Sequence, residues 1–100
     1  MILLSKKISA AQALEIGLVN RLSAPETLMD DALALAKELA DRPPIAVRCI
    51  LEAVSAGLYE GLDAGLEVEA QGSATVRSSE DCREGFTAFL EKRKPVFTGR

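Results

Sequence analysis

Histidine is absent from this chain of 100 residues, and cysteine occurs only twice. The lack of histidine excludes imidazole metal sites, histidine-based catalytic triads and the usual histidine pH switch. The two cysteines, Cys49 and Cys82, are fewer than a small secreted domain held by disulfides usually carries. We therefore expect two reduced, buried thiols in a cytoplasmic protein, with a disulfide as the less favoured alternative, and no metal site.

Long apolar runs are equally scarce. The apolar runs extend over only a few residues, whereas a membrane-spanning helix needs roughly 20. No basic start followed by an apolar core is visible, so we expect no secretory signal. The formal net charge of −3 disfavours binding to phosphate backbones. These features predict a cytoplasmic protein that uses neither a membrane nor a nucleic acid.

Apolar residues make up 48% of the chain, but aromatic residues make up only 4%. Alanine and leucine dominate, and this mixture favours helices packed through small and medium side chains. Helix start and stop signals recur along the chain. We predict one all-α domain over residues 1–100 with four to five helices. Its segments are 1–22 (the end of a core element, then a first helix and a turn), 23–42 (a helix), 44–75 (helices), 79–92 (a final helix) and 93–100 (a docking tail).

Local signals mark the first two helices. Ser9 and Gln12 form a capping box, and Gly17 is a stop, because glycine accepts the left-handed turn at a helix end. Ser23 begins a second start signal, since the Pro25 that follows is tolerated in a first helical turn.

The third helix is the most apolar one. Pro43 and Pro44 end the helix before it, and Pro44 suits its first turn. Between Ile45 and Ala56 only Arg48 and Glu52 are charged, and an ion pair between them is a better interpretation than catalysis. The rest of the helix is apolar nearly all round. Such a helix must be covered on several sides, and the few remaining helices can hardly do so.

Three glycines follow at a spacing of four residues: Gly57, Gly61 and Gly65. In a single helix they would line one face and allow a second helix to approach closely. Alternatively, Gly57 and Gly61 form a break and only Gly65 is helical. Each glycine costs about 1 kcal/mol in a helix interior relative to alanine, so both interpretations require a structural reason for them.

The last helix is expected to start near Ser79 and to end in a basic cluster, Lys92-Arg93-Lys94. Acidic residues in its first two turns complement the helix dipole, as do the basic residues at its end. These acidic residues are Glu80, Asp81 and Glu84. The cluster has two interpretations: dipole compensation with solvation, or binding of a phosphorylated ligand by lysine as a point charge.

Two segments carry a family resemblance. Residues 8–20 read I-S-A-A-Q-A-L-E-I-G-L-V-N, and residues 81–97 read D-C-R-E-G-F-T-A-F-L-E-K-R-K-P-V-F. They are similar to the patterns I-S-A-x-x-A-L-x-x-G-L-V and D-x-x-E-G-x-x-A-F-x-E-K-R-x-P-x-F of the crotonase (enoyl-CoA hydratase/isomerase) family. The resemblance extends over essentially the whole chain.

The resemblance implies a fold and an origin. Crotonase enzymes consist of a spiral of ββα units followed by a helical region that builds trimers, often paired into hexamers. This chain resembles only that C-terminal helical (trimerisation) region, and the spiral core is not represented in it. The oxyanion hole and the catalytic carboxylates of the family belong to the spiral, so no catalytic residue is predicted here. The abrupt apolar start over residues 2–4 also suggests a truncated chain.

One site residue follows from the resemblance. In enoyl-CoA hydratases the lysine that matches Lys92 approaches the adenosine phosphate of coenzyme A in a neighbouring subunit. The substrate implied is an acyl-CoA thioester, with no covalently bound cofactor. The lysine that the family commonly carries near Leu51 is absent, and Gly72–Thr75 is smaller and more polar than in many relatives. Neither the reaction nor the acyl-chain preference is therefore predicted.

Two hypotheses remain open at this stage. The leading one is a fragment of an acyl-CoA-processing enzyme that contributes oligomer contacts and coenzyme A binding. The alternative is a free-standing, non-catalytic helical assembly module that self-associates through the same contacts.

Overall fold

The computed structural model describes residues 3–100, and this part of the chain contains five α-helices and no strand. The expected all-α architecture is confirmed. The helices are α1 (Ala10–Glu15), α2 (Leu28–Ala40), α3 (Pro44–Tyr59), α4 (Leu62–Ser78) and α5 (Glu80–Glu91). Met1 and Ile2, part of the predicted apolar start, lie outside the described residues.

The chain divides into two compact units, with the boundary between Ala36 and Lys37, inside α2. The single domain over residues 1–100 stays a prediction. In the first unit the capping box is confirmed: Gln12 N–H donates to Ser9 Oγ (3.2 Å), and Ser9 N–H donates to Gln12 Oε1 (2.9 Å). Gly17 follows α1 with a left-handed φ of 72°, as a helix stop requires.

The second helix is shorter than the predicted segment 23–42. It starts at Leu28, because the preceding residues form a separate turn in which Thr27 N–H donates to Ala24 C=O. The Pro25 signal therefore belongs to this turn and not to the first turn of the helix. At the other end α2 stops at Ala40, close to the expected position before the two prolines.

In the second unit α3 and α4 form an antiparallel pair, and the glycines explain how. Gly61 breaks the helix: it precedes α4 with a φ of 105°, a backbone conformation that is unfavourable for residues other than glycine. Gly57 lies in α3 and Gly65 in α4, where their backbones meet. Neither sequence interpretation was complete, since Gly57 is helical and not part of the break, and the close approach joins two different helices.

Apolar side chains remain widely exposed. Among the described residues the buried apolar ones are Ala13, Cys49, Ala56 and Ala88. On α3, by contrast, Leu51 and Leu58 are 65% and 75% exposed. This agrees with the expectation that the other helices of the chain cannot cover α3. Both cysteines are free thiols, with Cys49 buried and Cys82 half-buried. In the described part of the chain no helix is long and apolar enough to cross a membrane.

Candidate functional site

The C-terminal end of α5 presents Lys92 in an unusual backbone conformation. Ser79 caps the start of this helix, where its Oγ accepts from Cys82 N–H at 3.0 Å. At the other end Lys92 adopts φ 55° and ψ 38°, the left-handed region that glycine usually occupies. A residue other than glycine in this region costs about 1–3 kcal/mol, so surrounding contacts must hold it there. Two of them are backbone bonds, from Lys92 N–H to Phe89 C=O and from Arg93 N–H to Ala88 C=O.

The tail after Lys92 runs back along α5 and is held by two carboxylates of that helix. Asp81 is 3% exposed and accepts from the backbone N–H groups of Thr98 (2.7 Å) and Gly99 (2.9 Å). Glu84 accepts from Val96 N–H at 2.8 Å. The tail thus lies along α5, and these contacts with it are made by polar groups.

Glu84 also forms a two-pronged ion pair with Arg93. Glu84 Oε1 lies 2.6 Å from Arg93 Nη1, and Glu84 Oε2 lies 2.8 Å from Arg93 Nη2. The hydrogen bonds from Arg93 and from Val96 N–H lower the pKa of Glu84 from its ordinary 4.5 to about 2. The same pairing, together with a 2.6 Å contact to Glu91, raises the pKa of Arg93. The guanidinium group of Arg93 is thus paired with carboxylates of the same chain.

The basic cluster separates into residues with different roles. Lys94 Nζ lies 2.8 Å from Asp41 Oδ2, and this hydrogen bond lowers the pKa of Asp41. Lys92 is exposed, and within residues 3–100 its ammonium group makes neither a hydrogen bond nor an ion pair. Of the three cations, Lys92 is the one without a charged partner among residues 3–100, whereas Arg93 and Lys94 pair with Glu84 and Asp41.

A second candidate feature is an apolar groove between α3 and α4, with a volume of about 610 Å³. Ile50 and Val54 of α3 and Leu62 and Leu66 of α4 contribute to its walls. Its polar lining comes from Glu69, Ser73 and Arg77, spaced along α4. Such a surface suits apolar contact with another protein surface.

Two further carboxylates, Glu52 and Glu69, do not form a catalytic arrangement. Glu52 Oε1 lies 3.9 Å from Arg48 Nε, and both side chains are mostly exposed, so this is a weak surface ion pair. Glu69 is exposed at the edge of the groove. In the described part of the chain no cluster of three or more potential metal-binding side chains occurs.

Sequence reasoning missed the roles of Asp81 and Glu84. It assigned them to the helix dipole, which fits their position in the first turns of α5 but omits the tail. The signal that could have shown more was their spacing: two acids three residues apart lie on one helix face, where a returning tail can offer its N–H groups to both.

The comparison with known proteins decides the family. The sequence model of the enoyl-CoA hydratase/isomerase family matches residues 1–100, the full chain. The chain belongs to the crotonase family. Among its relatives, the short-chain-enoyl-CoA hydratase of Clostridium acetobutylicum is 35% identical over 94 residues, covering 94% of this chain and 36% of that protein. The 1,2-epoxyphenylacetyl-CoA isomerase of Escherichia coli is 39% identical over 98 residues, covering 98% of this chain and 37% of that protein.

Solved crotonase structures agree with the fold. The crystal structure of an enoyl-CoA hydratase from Bacillus anthracis superposes with a TM-score of 0.87 at 40% identity, covering 93% of this chain and 36% of that one. The chain thus has the helical region of the crotonase fold, and it spans 36–37% of the length of these three relatives. Because crotonase relatives include both a hydratase and an isomerase, the family alone does not select a reaction.

Proposed function

We propose that this chain serves an acyl-CoA-processing enzyme as its C-terminal helical part, in which Lys92 binds the adenosine phosphate of coenzyme A. The ligand would be an acyl-CoA thioester held in part by a neighbouring subunit. Catalytic groups and the choice of reaction would belong to other segments of such an enzyme. No resident cofactor is part of the proposal.

The single observation that carries the proposal is that two of the three cations in the basic cluster are paired and the third is not. Arg93 and Lys94 are paired with Glu84 and Asp41, whereas Lys92 projects from the end of α5 without a partner among residues 3–100. An exposed lysine at a fixed helix end suits a phosphate group, which it can meet as a compact point charge. Compensation of the helix dipole alone would not require one of the three cations to lack a carboxylate partner.

Exposed apolar surface supports the second part of the proposal, which is contact between subunits. Leu51 and Leu58 on α3 and Phe89 on α5 are 65%, 75% and 80% exposed. Large exposed apolar surface marks interfaces between proteins. We therefore propose that these faces are covered by other copies of the enzyme or by its preceding segments.

The test uses an active chimera, in which this chain replaces the matching part of the Clostridium acetobutylicum short-chain-enoyl-CoA hydratase. Lys92→Ala should raise the KM for crotonyl-CoA about tenfold and leave kcat nearly unchanged. A charged hydrogen bond of this kind is worth roughly 1.5–3 kcal/mol, less when exposed, and it lies far from the reacting carbon, so it acts equally on ground and transition states. The increase should shrink as salt screens the pair.

A second substrate and a matched variant sharpen the test. With crotonyl-dephospho-CoA, which lacks the adenosine phosphate, Lys92→Ala should have almost no effect. Lys37→Ala, which removes an equal charge from α2, should change neither KM. If the loss at Lys92 is as large without the phosphate as with it, the proposed role is wrong, and Lys92 is better described as a helix-end charge that supports packing.

A further inference from the structure

The conformation of Lys92 depends on residues that would never touch the ligand. Lys92 occupies the left-handed region although it is not glycine, and the chain turns there at the end of α5. The backbone bonds to Ala88 and Phe89 close the turn, but they are the ordinary bonds of a helix end. Beyond them, Asp81 and Asp41 hold the tail further along, at Thr98, Gly99 and Lys94, and Glu84 holds it next to the turn.

Glu84 has the contacts to do this. It is half-buried, and its two oxygens receive three hydrogen bonds from the tail: two from the guanidinium group of Arg93 and one from the backbone N–H of Val96. Arg93 follows Lys92 directly, and Val96 lies three residues further along the same tail. The Glu84 carboxylate therefore binds the tail at two points: at Arg93, just after the turn, and at Val96, where the tail runs along α5.

We infer that Glu84 is a positioning residue, which acts through Arg93 and Val96 to hold Lys92 in its left-handed turn and so aims the ammonium group at the coenzyme A phosphate. This inference rests on the proposed function of Lys92 and adds the residue that sets its geometry. Arg93 has a second purpose in this arrangement: its pairing with Glu84 and Glu91 keeps its own charge turned toward the protein.

The experiment compares two alanine substitutions in the active chimera. Glu84→Ala should raise the KM for crotonyl-CoA about threefold to tenfold, with kcat unchanged and no effect on crotonyl-dephospho-CoA. Glu91→Ala is the matched control: it removes the same charge from the residue next to Lys92 and one contact of Arg93, but no contact of Val96. It should change the KM by less than twofold. An equal effect of both substitutions would attribute the result to net charge and overturn the inference.

A double substitution separates positioning from general structural damage. In the Lys92→Ala background, Glu84→Ala should produce no further loss, because the group it positions is gone. An additional loss of the same size, or an equal loss with the dephospho substrate, would show a merely structural role and contradict the inference. If Lys92→Ala affects both substrates equally, the proposed function itself is wrong. If Lys92→Ala distinguishes them and Glu84→Ala does not, only the present inference fails.

Amide hydrogen exchange on the 100-residue chain gives a readout that does not need catalysis. Glu84→Ala should speed exchange at Lys92, Arg93 and Val96 at least tenfold, while Glu91→Ala leaves Val96 protected. Unchanged protection at Lys92 and Arg93 in Glu84→Ala would show that the backbone bonds hold the turn by themselves, and the inference would be wrong.

Discussion

Gly57 and Gly65 bring the backbones of α3 and α4 together: a Cβ atom on Gly65 would lie 2.8 Å from Gly57 Cα and 3.0 Å from Gly57 N. It would also lie 3.2 Å from the carbonyl oxygen of Ala53. All three atoms belong to the backbone of α3, which cannot rotate away as a side chain can. The contact is asymmetric, since a Cβ on Gly57 would meet only Gly65 Cα, at 3.8 Å.

This asymmetry predicts opposite effects of two similar substitutions. Gly65→Ala should lower the free energy of unfolding by about 1–3 kcal/mol, because the two helices must move apart. Gly57→Ala fits in ordinary van der Waals contact and should be neutral or stabilise by up to about 1 kcal/mol through helix propensity. Urea denaturation followed by circular dichroism measures both. Equal destabilisation by the two variants would contradict the close approach described here.

The attachment of the tail should weaken in acid. The pKa of Glu84 falls from 4.5 to about 2 in the folded chain, so its pairing contributes stability in full above about pH 4.5. This contribution should be lost as the pH falls from 4.5 through about 2, where the folded carboxyl takes up its proton. Amide exchange at Val96, corrected for the intrinsic pH dependence, should report the change.

Two variants test that assignment. Glu84→Gln should abolish the loss of Val96 protection over this pH range, because no titrating carboxyl remains at the position. Glu80→Gln, an exposed acid in the first turn of the same helix, should leave the wild-type profile intact. A Val96 profile that is unchanged in Glu84→Gln would attribute the acid response to another group.

The purified chain should self-associate at micromolar concentration. Leu51 and Leu58 lie on one side of α3, outside the groove with α4, and are mostly exposed. Burial of one such side chain is worth about 1.5–3 kcal/mol, which favours association. The double substitution Leu51→Glu/Leu58→Glu should shift sedimentation toward the monomer, whereas Leu3→Glu, at a site that is 96% exposed, should not. A folded wild-type monomer at high micromolar concentration would refute the prediction.

The chain by itself should not hydrate crotonyl-CoA. The carboxylates with lowered pKa values, Asp41 and Glu84, are already paired with Lys94 and Arg93, and lowered pKa values make them poor proton acceptors. We expect no rate above background when the purified chain is assayed with crotonyl-CoA. A rate that scales with protein concentration and survives a second purification would prove this wrong.

Local features of the sequence determined the helices. The capping box of Ser9 and Gln12, the stop at Gly17 and the start at Pro44 depend on residues within one or two turns, so their effect can be read from adjacent positions. The basic cluster at the end of α5 can likewise be read from adjacent positions. The exception is α2, where a turn over Pro25 resembles a helix start in sequence and differs only in its hydrogen bonds.

Only the tertiary structure decided what the chain does with these residues. Gly57 meets Gly65 across two helices, and the spacing of four residues does not reveal whether the helix breaks before the contact. Glu84 acquires its partners from residues nine and twelve positions away, after the tail has reversed direction. The charge pattern alone cannot distinguish Lys92 from Arg93 and Lys94, because all three are cations in a row, and only the family resemblance singled out Lys92. They differ only once folding has brought Glu84 and Asp41 within hydrogen-bonding distance of the latter two.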